Sequence, residues 1–162
     1  VVVPKKLARK YSTRAIAAML ERKRAWIEKH LRNVGTEKAD ERQRIGPTTP
    51  RAAQAHYERH VEAARALACV RVEYFNEHYN FAYNAIRIKN TTSCWGSCSA
   101  LKNLNFSYKL LFLPEHLRDY IVVHELCHLK HLNHSPAFWA CVAEVLPHYK
   151  ELRKELRAWR LD

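Results

Sequence analysis

Tyr120-Ile121-Val122-Val123-His124-Glu125-Leu126-Cys127-His128, continued by Leu129-Lys130-His131-Leu132-Asn133-His134-Ser135-Pro136, is the stretch around which the chain is organised. On a helix, residues four apart share a face, so the imidazoles of His124 and His128 can share one metal ion. Glu125 completes the HExxH pattern, one residue after the first histidine, where its carboxylate reaches a water on that ion. Ile121, Val122, Val123 and Leu126 make the helix apolar enough to be buried. A buried helix does not carry two histidines and a glutamate without partners. His134 falls ten residues after His124, and Pro136 stops the helix from continuing, so Leu132 to Ser135 is a turn able to bring back a third nitrogen. Three nitrogens leave the fourth tetrahedral position for water, as catalytic zinc requires. The ion would lower the pKa of that water to roughly 7, and Glu125 would take its proton. The stretch therefore predicts a hydrolytic Zn2+ site, with His124, His128 and His134 as metal ligands and Glu125 as the catalytic group.

Composition bounds the rest. At 162 residues the chain suits one domain with a real core. It opens Val1-Val2-Val3-Pro4 with no methionine, so a fragment or processed form of a longer chain is expected. No apolar run approaches the ~20 residues of a transmembrane helix, and no charged-then-apolar leader stands at the start. The five cysteines are odd in number and mostly set among apolar residues, which predicts reduced thiols in a cytoplasmic protein without a membrane partner. Cys94 and Cys98 stand four apart, but no second cysteine pair follows to close a structural zinc site.

Charge is uneven. The net charge is +12. Residues 1–70 carry 16 Lys and Arg against 7 acidic residues, while residues 71–162 carry 12 against 9. A basic first half beside a metal site suggests an anionic partner, nucleic acid or a phosphorylated small molecule, against the simpler reading of a solvated basic surface.

Working outward, Ser12 or Thr13 can cap a helix running to about Val34, with Gly35 as its stop and Arg22, Lys23, Arg24 and Lys29 on it. Gly35 to Pro50 reads as a loop closed by Gly46-Pro47. Thr49-Pro50 caps a long second helix reaching about His78. His56, His60 and His78 on or near it read as surface or packing residues. Phe81 to Thr91 alternates in two phases, as a strand with a bulge does. Leu104 to Phe112 alternates cleanly, as a half-buried strand. Between them Cys94 to Ser99 reads as a tight turn. Pro114 opens the metal helix, and two further helices follow, Pro136 to Leu146 and Pro147 to about Arg160. The expected organisation is one domain over 1–162, with a basic helical part at 1–48 and the zinc-site core at 49–162.

The run Trp95-Gly96-Ser97-Cys98-Ser99, then Leu104-Asn105-Phe106 to Pro114, then Tyr120 to Leu129, ending His134-Ser135-Pro136-Ala137-Phe138-Trp139, resembles the YgjP-like zinc metallopeptidase family, related to the WLM and SprT-type peptidases. The resemblance implies a zincin-like α+β fold, with a small antiparallel sheet packed on the active-site helix and additional long helices. It also implies His124, His128 and His134 as zinc ligands and Glu125 as the acid/base. Cys94 departs from the pattern, standing where the family commonly has arginine. His131 stands where metzincins have a turn glycine, which separates this chain from that group.

The function expected is a zinc-dependent metallopeptidase acting on a peptide laid along Asn105-Phe106-Ser107 as an added strand. Tyr108, His131 and Asn133 are the polar candidates for steadying the oxygen that gains charge. Three alternatives stand beside it. The resemblance links the family to a nucleoside triphosphate (UTP-type) pyrophosphatase on the same site, and to a DNA-associated SprT-like protease bound through the basic first half. A nucleic-acid-binding module with structural zinc is the third, and it would need a fourth protein ligand that the sequence does not offer.

Overall fold

The computed structural model describes residues 45–47 and 49–161. The expected basic helix, and nearly all of the 1–48 part, lie outside these residues. The first described helix, α1 (Pro50–Tyr79), begins where the sequence says it should. Thr49 is in extended backbone, its hydroxyl accepts from the Ala52 amide, and Pro50 supplies a first-turn residue that needs no donor. It ends on Asn80 in the left-handed region. The buried Asn76 side chain then holds the exit, donating to the Phe81 carbonyl and accepting from the Phe81 amide, both at 2.9 Å. Ala63, Ala64, Ala66 and Ala68 are buried on this helix, so neighbours approach its backbone closely.

Three strands follow: β1 (Ala85–Lys89), β2 (Gly96–Cys98) and β3 (Asn103–Ser107), in the order β1-β3-β2. The sheet is mixed rather than wholly antiparallel. The chain reverses at each turn as expected, but β3 inserts between the other two. It therefore runs parallel to β1, with Ile88 opposite Phe106, and antiparallel to β2, with Gly96 opposite Phe106. The presumed Cys94 to Ser99 turn thus contains an edge strand, and the first strand is confined to Ala85–Lys89.

The central strand is buried on both faces, not half-buried. Leu104 and Phe106 face the core, fully buried. On the opposite face Asn103 and Asn105 are satisfied by Ser99 and Ser97, their neighbours around the β2–β3 turn. The strand also stops early. The Ser107 hydroxyl accepts from the Lys109 amide at 3.3 Å and starts a 3-10 turn over Tyr108–Phe112. The alternation of apolar residues beyond Ser107 is spent on that turn, with Lys109 buried and donating to the Leu161 carbonyl.

Helix α2 (Glu115–Cys127) packs under the sheet and along α1. Arg71 of α1 grips Asp119 of α2 through both carboxylate oxygens, with Nε 2.7 Å from Oδ1. This charge-assisted fork fixes the two helices about one turn before His124. Helix α3 (Pro136–Val145) starts on Ser135, whose hydroxyl accepts from the Phe138 amide, and α4 (Tyr149–Leu156) closes the fold against α2. Among the described residues no helix is long and apolar enough to cross a membrane.

Candidate metal centre

The last turn of α2 presents His124 and His128 on one face, and Glu125 about 100° round from the first. The chain then turns back tightly, with the Lys130 and His131 amides donating to the Cys127 carbonyl. The Ser135 cap and Pro136 begin α3 immediately after His134, which leaves that residue little freedom to swing away. As a result, His124 Nε2 lies 3.2 Å from His128 Nε2 and 3.0 Å from His134 Nε2. Two nitrogens ~2.05 Å from one zinc across a tetrahedral angle stand about 3.3 Å apart, so the cluster has the dimensions of a zinc cage.

The donor set also has the right chemistry. The His128 Nδ1–H donates to the His131 carbonyl at 2.9 Å, which leaves its Nε2 lone pair bare and aimed inward. One N–H on His124 can serve one neighbouring nitrogen and not both, whereas a cation at the centre serves all three. Burial, followed by the charges of His128, His134 and Arg153, holds the His124 imidazole down to about 3. Burial likewise lowers His134. Neutral imidazole is the form that binds metal. Among the described residues this is the one group of three or more side chains with metal-binding geometry.

Phe138, fully buried, is the floor of the cluster. Its ring centroid is 4.5 Å from that of His128, 4.8 Å from His134 and 4.9 Å from His124. Trp139 covers the side, stacked on His134 at 5.5 Å. The Nδ1 of His124 is buried and has no hydrogen-bond partner among the described residues, where its ring packs against Phe138, Trp139 and Tyr120.

Glu125 is 4 % exposed, and its Oε2 finds no partner among the described residues. Burial alone pushes its carboxyl up to about 8. Gly96 of β2 makes the cradle. A Cβ built there would sit 2.7 Å from both Glu125 Cγ and Oε1, so only glycine lets the edge strand pass this close. This explains the glycine of Trp95-Gly96-Ser97 by close approach rather than by turn conformation.

Residues 47–158 match the family model described as YgjP-like, metallopeptidase domain. The chain belongs to the YgjP-like metallopeptidase family. The crystal structure of the metallopeptidase zymogen of Pyrococcus abyssi abylysin is similar to it, at 25% sequence identity and a TM-score of 0.51, over 55% of this chain and 90% of that one. Comparison with curated proteins gives no match. The family and its zincin-like α+β fold make this a hydrolase of the metallopeptidase kind, a class that works through a bound metal.

The polar candidates fare differently. Tyr108 turns into the core beside α1, with its hydroxyl 3.1 Å from His56 Nδ1. His131 contributes its carbonyl to His128 rather than its ring, and Asn133 is exposed in the turn. Sequence reading missed Phe138 and Trp139 as the support of the histidines. Their place just after Ser135-Pro136, where the first turn of α3 must fold back over α2, was the available signal.

Proposed function

We propose that this chain is a zinc-dependent metallopeptidase. His124, His128 and His134 hold the ion through Nε2, and Glu125 is the general base. The observation that carries the reading is the convergence of three imidazole nitrogens beside a buried, unpartnered carboxylate. When bound, zinc supplies a Lewis acid that polarises a carbonyl oxygen and acidifies water. Glu125 Oε2 takes a proton from the attacking water and passes it to the amide nitrogen as the peptide bond breaks. A dry carboxyl titrating well above its ordinary range suits both halves of that transfer.

The substrate-pairing strand is reassigned. Asn105-Phe106-Ser107 belongs to β3, whose two edges are occupied by β1 and β2. Among the described residues, the free edge next to Glu125 is that of β2. Ser97 pairs with Asn105, and the Trp95 carbonyl with the Ser107 amide, so the backbone groups of Gly96 and Cys98 point outward, away from the sheet. An extended peptide hydrogen-bonded to Gly96 and Cys98 passes over the base.

The test compares zinc-loaded wild type with Glu125→Gln on a peptide library and on nucleoside triphosphates. We expect peptide cleavage by wild type, and a loss of ~100-fold or more in a mutant that keeps its zinc. Pyrophosphate release from triphosphates without cleavage of any peptide would overturn the reading in favour of a nucleotide hydrolase.

A further inference from the structure

Helix α4 sets one charge beside the metal cluster that the reaction above does not use. Arg153 is exposed, and its Cζ lies 5.0 Å from the centre of the Trp139 ring. Tyr149, one turn earlier on α4, stacks on the same indole at 5.0 Å with the planes 10° apart. That indole in turn lies 5.5 Å from His134 and 5.9 Å from His124. Trp139 is therefore a shared neighbour of the guanidinium and of two of the three histidines.

Among the described residues Arg153 has no carboxylate partner, although Glu151 and Glu155 are close on the same helix. Glu155 is engaged with His116 at 2.8 Å. A guanidinium seated on an aromatic ring loses little further freedom on binding, and its planar fork matches a carboxylate.

Distance decides its role. A group that stabilises the oxygen gaining charge must stand about 3 Å from it. Arg153 is seated on Trp139, the indole that stacks on His134. At ~3.3 Å per residue of extended chain, it is in reach of a substrate residue one or two positions from the bond being cut.

We propose that Arg153, seated on Trp139, is a specificity-determining residue that binds a substrate carboxylate next to the scissile bond, either an Asp or Glu side chain or the terminal carboxylate of the peptide. The inference rests on the peptidase reading above.

The experiment uses the full zinc-loaded chain and peptide pairs that differ only by Glu or Gln at positions flanking the cut, each with a free or an amidated C-terminus. It reads kcat/KM with wild type and, with Glu125→Gln, the Kd of the same peptides by calorimetry. Wild type should favour one carboxylate form by ~10-fold, mostly through KM and Kd, and the pair that shows the preference identifies its source. Arg153→Gln should bring that ratio close to one, and Arg153→Glu should invert it in favour of the uncharged member of the pair. Arg157→Gln, which removes an equal charge one turn further on, should keep the wild-type ratio. Efficient cleavage with no preference, or a preference that survives Arg153→Gln, overturns the role of Arg153 and leaves the peptidase reading intact. Failure to bind or cleave any peptide overturns both.

Discussion

The molecule carries two histidine pairs with the same helical spacing, His56 and His60 on α1 and His124 and His128 on α2. Their ring centroids are nearly equally close, 4.4 Å and 4.8 Å. Their fates differ. His56 and His60 lie against Phe112, each at 5.1 Å, and His56 Nδ1 meets the Tyr108 hydroxyl. The residue after His56 is Tyr57, whose hydroxyl donates to the Ile88 carbonyl and braces β1 against α1. The residue after His124 is a buried carboxylate, and a third imidazole closes on that pair from the following turn. Spacing alone brings two rings together. Among the described residues, only the second pair gains a third nitrogen.

That contrast can be broken or sharpened by substitution. His134→Ala should have the largest effect, lowering zinc affinity by more than the ~100-fold that loss of a supporting residue costs, as read by metal analysis after competition with a chelator. Zinc retained at full stoichiometry and affinity would remove His134 from the ligand set and leave the α2 pair without the third nitrogen that sets it apart. Gly96→Ala is expected to come next. Its methyl must displace Glu125, to which the three nearest atoms all belong, so kcat should drop by ~10- to 100-fold with zinc content unchanged. A fall in zinc occupancy instead would show that the cradle serves the ligands and not the base. The smallest effect is expected from His60→Ala, with zinc stoichiometry intact and about 1–2 kcal/mol lost in urea denaturation through weakened packing on Phe112. Lost zinc in that variant would give the α1 pair a function its surroundings do not suggest.

The meeting of the three histidines and the burial of Glu125 were legible because four-residue spacing, apolar helical periodicity and a proline stop are all local signals. The long helix was legible for the same reason, from Thr49-Pro50 to within a residue of its end. Strand partners were not. Alternation in Leu104 to Phe112 shows which residues share a face. It does not reveal that β3 would slip between β1 and β2, nor that a single serine hydroxyl would end the strand at Ser107. The three residues of β2 were too few to show a period. Gly96 was visible as part of a motif, but its reason, contact with a carboxylate 29 positions away, exists only in three dimensions. Arg153 was one basic residue among many until α4 was seen to set it on Trp139.

The cradle of Gly96 against Glu125 has a topological consequence. His124, His128, His134 and Phe138 all fall within one short run of chain, so closing that loop costs little chain entropy. Glu125 depends on an edge strand far upstream, reached only when the sheet docks on α2. On the proposed assignment, the metal ligands are therefore brought together by local chain, whereas the cradle of the base is completed only by long-range docking.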